Sequence, residues 1–425
     1  MSLVGNSSRP VRVGIVLVSQ RVDRHRVMEL RGLVESLGCT PVFVLVQRRR
    51  GVDPRYVLGR GKAEELAKLV EEEKVELVVF GNSLSPSQVF NLAGVTGVEV
   101  IDRTQLILRL FAERAETRVA KLQVEYAQLR YMLPHAREMV RLAKREERPG
   151  FKGLGRYEVD KYVHDIHRRM VFVRRKIEKE RKTRGSRRGR HREKGYDLVA
   201  VAGYTNSGKT TLLNTLTSSN KPVDNAMFTT LRPTTRRLEI GKRKILLTDT
   251  VGFIDELPPV IIEAFHSTLE ELAIADLILL MIDVSEPIHE IRRKLRVSHK
   301  ILGDTGAVGV PIITVFNKTD LVDSNHVDAV VEGVRDLAPN PTPISAKTGY
   351  NLEELRKTIL SLLPQQTSLI TLPANHRETL AILSQIYDEM EIEEACYTPE
   401  KINLLVKGCP TRVNRVEKMV AKLNS

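Results

Sequence analysis

A glycine-rich octapeptide between an apolar strand and a helix is the feature that most constrains how this chain can fold. Residues 203–210 read GYTNSGKT, which fits the pattern G-x-x-x-x-G-K-[ST], and they follow LVAVA and precede TTLLNTL. In that context backbone N–H groups and a helix N-terminus surround phosphate groups, while the lysine reaches the β- and γ-phosphates. The octapeptide therefore predicts a parallel α/β domain with a nucleotide site.

Three short motifs follow the loop in the order that a guanine-nucleotide site requires. Residues 249–252 (DTVG) end the strand KILLT, where a carboxylate can hold Mg²⁺ and a glycine N–H can meet the γ-phosphate. Residues 317–320 (NKTD) follow ITVF, and residues 345–347 (SAK) follow TPI. Asp320 can accept hydrogen bonds from guanine N1–H and the N2 amino group, donors that adenine lacks, so GTP and GDP are the expected ligands.

A threonine-rich segment at residues 228–237, FTTLRPTTRR, lies between the phosphate loop and Asp249 and shows neither a helical nor a strand period. A threonine hydroxyl here can complete the Mg²⁺ coordination only while the γ-phosphate is present, so hydrolysis would release the segment. We expect Thr230 to be that ligand, with Thr229 as the neighbouring alternative. The segment is therefore predicted to be a switch.

The residues expected to bind the nucleotide share these motifs. They are Gly203, Tyr204, Thr205, Asn206, Ser207, Gly208, Lys209, Thr210, Thr211, Phe228, Thr229, Thr230, Leu231, Asp249, Thr250, Val251, Gly252, Asn317, Lys318, Asp320, Ser345, Ala346 and Lys347. The expected catalytic residues are Asn206, Lys209, Thr230, Asp249 and Gly252. The expected Mg²⁺ ligands are Thr210, Thr230 and Asp249.

The positive charge of the chain is concentrated in one segment. The whole chain carries a net charge of +14, and residues 137–194 contain 22 Lys and Arg against 9 Asp and Glu, which leaves the rest nearly neutral. The densest part is residues 174–194. A contact with nucleic-acid phosphates is favoured here over the alternative of a solvated linker.

The hydrophobic pattern predicts a mixed α/β chain of several parts. Apolar runs at 13–18, 41–46, 75–80 and 98–101 alternate with helical stretches, which is typical of parallel strands. Helical patterns at 104–134, expected to stop at Pro134, and at 159–180 predict an antiparallel hairpin. The expected domains are an N-terminal α/β domain (1–103), the hairpin with its basic linker (104–194), a Ras-like P-loop G domain (195–364) and a small α+β domain with one strand between two helices (365–425).

Several kinds of protein are excluded by composition. The three cysteines lack metal-ligand spacing, so neither a disulfide framework nor a zinc site is expected. No apolar run approaches the length that crosses a bilayer, and the first residues, MSLVGNSSRPVR, lack the apolar core of a signal peptide. We expect a cytoplasmic protein without a membrane partner.

Four segments together resemble the HflX family of ribosome-associated GTPases, in the TRAFAC class. They are YVLGRGKAEEL at 56–66, LSPSQVFNL at 84–92, the stretch at 101–134, and FTTLRPTTRR. The resemblance covers about residues 10–365. It implies binding to the large ribosomal subunit and its RNA, and, as in bacteria, the splitting of stalled or idle ribosomes. We expect the protein to be a monomer.

The chain departs from that family at one loop. The family usually has Gly-Pro-Gly-Glu ahead of the second long helix, where this chain has Gly153-Leu154-Gly155-Arg156. Because a base replaces the acid, the role of that glutamate is not transferred, and whether the protein splits ribosomes or only binds them stays open.

Two further expectations concern turnover. Phe253 stands where Ras-like enzymes carry a glutamine that orients water, so slow intrinsic hydrolysis completed by the ribosome is expected. Asn206 stands where potassium-stimulated GTPases carry an ion ligand, so it either binds K⁺ or only caps the loop.

An alternative function is an RNA-remodelling enzyme driven by ATP or GTP, with a nucleotide site at residues 59–62 (GRGK) of the N-terminal domain and the basic segment as its contact with RNA. A membrane-bound scaffold is the least favoured reading.

Overall fold

The computed structural model describes residues 9–20, 24–146, 154–193, 195–217, 235–250, 252–254, 261 and 272–423. The chain forms two compact units that part between Glu180 and Arg181, inside one long helix. The fold class predicted from the sequence is confirmed: parallel α/β sheets are followed by a small α+β region. The four domain limits given above remain predictions.

The first unit begins with a parallel four-stranded sheet of order β2-β1-β3-β4. Its strands are β1 (Arg12–Ser19), β2 (Thr40–Arg48), β3 (Leu77–Phe80) and β4 (Glu99–Asp102), and its helices are α1 (Arg24–Ser36), α2 (Arg60–Glu72) and α3 (Pro86–Thr96). β3 is buried along its whole length, as expected for a strand covered on both faces. The four apolar runs of the sequence therefore correspond to these four strands.

The first unit also contains α4 (Arg103–Arg114), α5 (Arg118–Glu146) and the part of α6 (Leu154–Glu193) that ends at Glu180. α5 and α6 contact each other through side chains, because Glu125 pairs with Arg169 at 2.5 Å and Arg137 contacts His167 at 3.0 Å. The two expected long helices are therefore present among the described residues, and their antiparallel arrangement remains a prediction. The first expected range, 104–134, is divided between α4 and α5, and α5 continues past its end, whereas α6 extends beyond 159–180 at both ends.

The expectation that Pro134 ends the first long helix was wrong, because α5 continues through it to Glu146. A proline removes one hydrogen bond of the helix, and the buried neighbours Leu133 and Ala136 hold the chain in place on either side. The real interruption lies before α5, where Thr117 Oγ1 accepts a hydrogen bond from Ala120 N at 3.1 Å and starts the new helix.

The second unit contains a six-stranded sheet of order β10-β9-β8-β5-β7-β6. The strands are β5 (Asp197–Gly203), β6 (Thr235–Ile240), β7 (Arg243–Asp249), β8 (Leu277–Asp283), β9 (Ile312–Asn317) and β10 (Thr342–Pro343). The helices described with them are α7 (Lys209–Leu216), α8 (Ile288–Asp304), α9 (Ser324–Gly333) and α10 (Leu352–Leu362). Only β6 is antiparallel to its neighbour.

Strand β6 corrects one expectation. Residues 228–237 were expected to lack a strand, but Thr235, Arg236 and Arg237 begin β6 and pair with β7. β6 is an edge strand, so its first residues are polar and give no apolar signal. The other residues of that segment lie outside the described ranges.

The chain ends in a small antiparallel sheet of order β11-β13-β12 with two helices. Its elements are β11 (Gln366–Pro373), α11 (Thr379–Glu389), β12 (Glu391–Tyr397), β13 (Lys401–Gly408) and α12 (Pro410–Leu423). The sequence indicated only the central strand, β13, so the expectation of one strand was wrong. β12 is an edge strand whose residues are acidic and mostly exposed, so a search for apolar runs does not find it.

Arginine 412 joins this small sheet to the six-stranded sheet. Arg412 is 1% exposed, and its guanidinium donates to the carbonyl oxygens of Gly195 at 3.0 Å and Lys242 at 3.1 Å. Nearby, Arg243 forms a two-point pair with Asp197 at 2.8 and 2.9 Å. Burial raises the pKa of Asp197, and this pair opposes the rise. Buried charge therefore fixes the small sheet against the tip of the β6–β7 hairpin.

The described residues contain neither a membrane-spanning helix nor a cluster of metal-ligating side chains. No described helix is long and apolar enough to cross a membrane. No cluster of three or more His, Cys, Asp or Glu side chains that could hold a metal ion occurs among the described residues.

Candidate nucleotide-binding site

The sequence motifs converge at one edge of the six-stranded sheet. The octapeptide follows β5, Asp249 ends β7, Asn317 ends β9, and Ser345 follows β10. These four strands are parallel, so their carboxyl ends lie at the same edge, which is where open α/β sheets bind ligands. One edge of the sheet therefore collects motifs that are spread over residues 203–347 of the chain.

Two glycines of the phosphate loop are required by the close packing around it. A Cβ atom on Gly203, whose φ is +135°, would lie 2.4 Å from the carbonyl oxygen of Met281. A Cβ atom on Gly208, whose φ is +92°, would lie 2.2 Å from Asn317 Nδ2. Asn206 also has a left-handed backbone, with φ of +63°, and is exposed. The loop therefore has a shape that other residues at these two glycine positions would disrupt.

Lys209 is buried at the start of α7. Its ammonium group donates to the carbonyl oxygens of Tyr204 at 2.7 Å and Gly203 at 3.1 Å. Burial lowers the pKa of Lys209 to about 8, and the charge of Asp249 partly opposes the shift. The side chain is therefore charged at neutral pH and lies along the loop that would surround phosphates.

Thr210 and Asp249 place two oxygen atoms side by side. Thr210 Oγ1 donates to Asp249 Oδ2 at 3.3 Å, and Asp249 is 1% exposed. Its neighbour Thr250 is fixed by a bond from its hydroxyl to the carbonyl oxygen of Val201 at 2.8 Å. A hydroxyl and a carboxylate are the oxygen donors that Mg²⁺ prefers, so the donor set fits this ion.

The motifs at residues 317–320 and 345–347 hold each other in place. Asn317 Nδ2 donates to the carbonyl oxygen of Ser207 at 2.8 Å, and Asn317 Oδ1 accepts from Ala346 N at 2.9 Å. Ser345 Oγ donates to Asp320 Oδ1 at 2.6 Å. Asn317 thus ties the phosphate loop to the segment on the far side of the expected base.

Some of the other residues expected to bind the nucleotide lie near the site, and five lie outside the described ranges. Thr211 lies in the first turn of α7, half-buried, and Lys347 is exposed. Gly252 lies against Thr205, since a Cβ atom there would come within 2.8 Å of Thr205 Cγ2. Five expected residues lie outside the described ranges, namely Phe228, Thr229, Thr230, Leu231 and Val251.

Phe253 is part of the core. It is 1% exposed, its N–H donates to the carbonyl oxygen of Gly203 at 3.0 Å, and its carbonyl oxygen accepts from Thr205 N at 2.9 Å. The residue after the DTVG motif therefore anchors the phosphate loop through its backbone, while its ring packs inside the protein.

Two residues around the site were not found from the sequence. Asp283 ends β8 and its Oδ2 pairs with Lys318 Nζ at 2.6 Å. Its position at the carboxyl end of an apolar strand was a usable signal, since neighbouring strand ends carry the known motifs. Lys294 lies within α8 and contacts the ring of Tyr204, and nothing in its sequence context indicates this.

The polar groups of residues 59–62 in the N-terminal domain form hydrogen bonds and ion pairs with nearby side chains. Gly59 N–H donates to Gln47 Oε1 at 3.0 Å. Arg60 pairs with Glu64 at 3.3 Å, and Lys62 pairs with Glu65 at 2.6 Å. These contacts do not favour the second nucleotide site on which the alternative, RNA-remodelling function depends.

Comparison with protein families covers most of the chain. Residues 24–112 match a family described as GTP-binding GTPase N-terminal, residues 114–191 one described as GTP-binding GTPase Middle Region, and residues 198–318 one described as 50S ribosome-binding GTPase. A crystal structure of a GTP-binding protein from Sulfolobus solfataricus in complex with GDP aligns with 27% identity and a TM-score of 0.47, covering 83% of this chain and 98% of that one.

Curated relatives extend the match to nearly the full length. GTPase HflX of Methanocaldococcus jannaschii is 44% identical over 95% of this chain and 98% of its own length. GTPase HflX of Thermofilum pendens is 40% identical over 96% of each chain. The nucleotide motifs gathered at one sheet edge, together with this near full-length identity, show that the chain is a GTPase and belongs to the HflX family.

Proposed function

We propose that this protein is a GTP-driven switch that binds the large ribosomal subunit in its GTP state and leaves it after hydrolysis. The observation that carries the proposal is the convergence of the phosphate loop, Asp249, Asn317 and Ser345 at one sheet edge. The matching family described as 50S ribosome-binding GTPase supports the choice of partner. A ribosomal partner implies that the protein works in the cytoplasm, and we propose that it does so as a monomer.

The proposed roles at the nucleotide follow from the chemistry of each group. Lys209 would leave the carbonyl oxygens of Gly203 and Tyr204 to bind the β- and γ-phosphates, which stabilise its charged form. The N–H of Gly252 would meet the γ-phosphate. Asp320 would accept from the guanine base, with its orientation set by Ser345. Each of these steps repositions a group that already lies at the sheet edge.

The proposed Mg²⁺ ligands are Thr210, Asp249 and Thr230. When bound, the ion neutralises charge that develops on the phosphate oxygens. Thr210 and Asp249 already lie within 3.3 Å of each other. Thr230 would join them only with GTP, which would make the segment from residue 228 the switch.

We also propose that Asn206 binds K⁺ beside the phosphates. Its exposed position and left-handed backbone present the side chain at the surface of the loop. A second cation there would stabilise the negative charge of the transition state. Turnover in K⁺ should then exceed turnover in Na⁺ at equal ionic strength, and equal rates would leave Asn206 with the role of a loop cap.

Helix α6 is the proposed contact with ribosomal RNA. Between residues 161 and 180 it has seven Lys and Arg against three Asp and Glu. The ring of Phe172 is 45% exposed and has two cations near it, with Lys176 Nζ at 4.1 Å and Arg169 Cζ at 5.4 Å from its centroid. Cations on one helix bind phosphates, and an exposed ring can stack on an unpaired base.

We further propose that the protein splits or rescues idle or stalled ribosomes. Binding between the two subunits would separate them, and hydrolysis would then recycle the GTPase. Arg156 replaces the family's glutamate and lies in the first turn of α6, not in the loop that was expected here, so splitting is a separate question from binding. Sedimentation of idle ribosomes with and without the protein and GTP would answer it.

The first experiment is steady-state GTP hydrolysis in K⁺ buffer with and without purified large subunits. We expect many-fold stimulation by the subunits. A double variant, Arg168→Glu with Arg175→Glu, should lose most of it, because both side chains are exposed on α6. The matched control, Arg377→Glu with Lys418→Glu, makes the same change of charge on exposed residues elsewhere. An unchanged rate with GTP still bound would contradict the ribosomal role and leave the GTPase intact.

A further inference from the structure

We propose that Lys294 is a positioning residue for the phosphate loop, acting through the ring of Tyr204. Lys294 lies in the second turn of α8 and is 9% exposed. Its ammonium group lies 5.1 Å from the centroid of the Tyr204 ring. Tyr204 is the first variable residue of the octapeptide and is 5% exposed. A buried cation therefore lies against the loop that binds the nucleotide.

Burial of the charged ammonium group of Lys294 costs free energy unless the charge is paired. Ile291 and Leu295, on the same side of α8, are fully buried. An apolar residue at position 294 would therefore pack against them without the burial of a charge. Lys294 instead forms an ion pair with Glu286 Oε1 at 2.5 Å. A buried charge is tolerated when it is paired, and such pairs fix geometry more than they add stability. Glu286 thus holds the ammonium group at a defined place over the ring.

Tyr204 transmits this restraint to the residues that meet phosphate. Its carbonyl oxygen accepts from Lys209 Nζ at 2.7 Å and from Ser207 Oγ at 2.8 Å. Its backbone also forms a parallel bridge with Phe253. A tyrosine whose ring is fixed by a cation cannot rotate freely, so its carbonyl and the following N–H groups stay in the shape that surrounds phosphates.

The glycine-rich pattern itself does not require this contact. It leaves the residue after the first glycine undefined, and a phosphate loop works with many residues there. The contact of Tyr204 with Lys294 is therefore a feature by which this chain adjusts how tightly its loop is ordered before the nucleotide arrives. A loop that is already ordered loses less conformational entropy when the nucleotide binds, so removal of the contact should weaken nucleotide affinity.

The test is a double-variant cycle on the affinity for GDP. Lys294→Met and Tyr204→Leu should each raise the Kd for GDP about tenfold, and the double variant should be no worse than either single one, because both remove the same contact. KM for GTP should rise in parallel while kcat changes less than twofold. Lys294→Arg should restore the affinity, since a guanidinium also stacks on a ring.

Two controls separate positioning from folding. Tyr204→Phe keeps the aromatic ring and should therefore bind GDP more tightly than Tyr204→Leu, which has no ring for the cation to contact. Lys300→Met removes an exposed cation from the same helix and should change neither affinity nor melting temperature. If Lys294→Met fails to fold, the comparison of the two Tyr204 variants still decides. Additive effects in the cycle, or equal GDP affinity for Tyr204→Leu and Tyr204→Phe, would overturn the proposal.

Discussion

The hydroxyl group of Ser345 donates to Oδ1 of Asp320 across 2.6 Å. Ser345 is fully buried and also accepts from Thr348 N at 3.2 Å. The serine is thus held by its own loop and in turn orients the carboxylate. This relationship connects two motifs that lie 25 residues apart, and it fixes the group that we propose reads the base.

Replacing this carboxylate by an amide should change which base is bound. In Asp320→Asn the amide nitrogen donates where the carboxylate accepted, so it repels the guanine N1–H and N2 donors. Xanthine has a carbonyl in place of the N2 amino group and can accept from the amide. We expect the ratio of affinities for GDP over XDP to fall by about 10⁴. Competition binding with the two nucleotides measures this ratio.

Asp328→Asn is the control for that experiment, because Asp328 is an exposed carboxylate on α9 close by in the sequence. It should keep the preference for GDP. If Asp320→Asn bound GDP as tightly as the wild type, Asp320 would not be the group that reads guanine.

A glutamine at Phe253 should not speed hydrolysis. The ring is buried, so Phe253→Gln places an amide in the core and should lower the free energy of unfolding by about 3 kcal/mol. Phe253→Leu, which stays apolar, should cost about 1 kcal/mol. Thermal unfolding measures the stability, and single-turnover hydrolysis measures the rate. A faster single turnover in Phe253→Gln would show that this side chain can reach the attacking water.

The parts of this structure that the sequence revealed are those with a local signal. Gly203 and Gly208 stand at fixed spacing because the backbone between them must turn tightly around phosphates, so the sequence alone identifies them. The strands β1, β3, β5 and β8 are buried on both faces and are therefore continuous apolar runs. The parallel order of these strands then brings the motifs together.

The parts that stayed hidden depend on contacts between distant residues. Nothing near Lys294 in the sequence distinguishes it from the exposed cations of α8, because its partner Tyr204 lies 90 residues earlier. The edge strands β6 and β12 are stabilised by pairing on one side only, so they need few apolar residues. The end of the first long helix was misplaced because Pro134 is a local stop signal, whereas the burial of Leu133 and Ala136, which holds the helix together, depends on the fold.

Arg412 should contribute to stability through its hydrogen bonds. Arg412→Met would leave the carbonyl oxygens of Gly195 and Lys242 without this donor in a buried place, and we expect a loss of about 3 kcal/mol. Calorimetry should show a lower melting temperature for the unit that contains the two sheets. Arg377→Met, at an exposed position of the same small domain, is the matched control and should melt like the wild type. Equal melting of both variants would mean that the Arg412 contacts contribute nothing net.

His135 gives the first unit a dependence on pH. It lies on α5 with its ring centroid 4.7 Å from that of Tyr131, and burial lowers its pKa, while the charges of Asp102 and Glu138 oppose the shift. An unfolded histidine has a pKa of about 6.5, so below that pH the unfolded chain takes up a proton before the folded one does. The stability that depends on neutral His135 is therefore complete above pH 6.5 and is lost as the pH falls toward the lowered folded pKa.

His135→Phe should make the unfolding of this unit less sensitive to acid. The phenyl ring keeps the contact with Tyr131 but cannot take up a proton, so the fall in melting temperature between pH 7 and pH 5 should be smaller than in the wild type. His164→Phe, an exposed position on α6, is the control and should show the wild-type fall. Differential scanning calorimetry at several pH values provides the comparison. If the His135→Phe variant lost as much melting temperature as the wild type over this interval, protonation of His135 would not be coupled to unfolding.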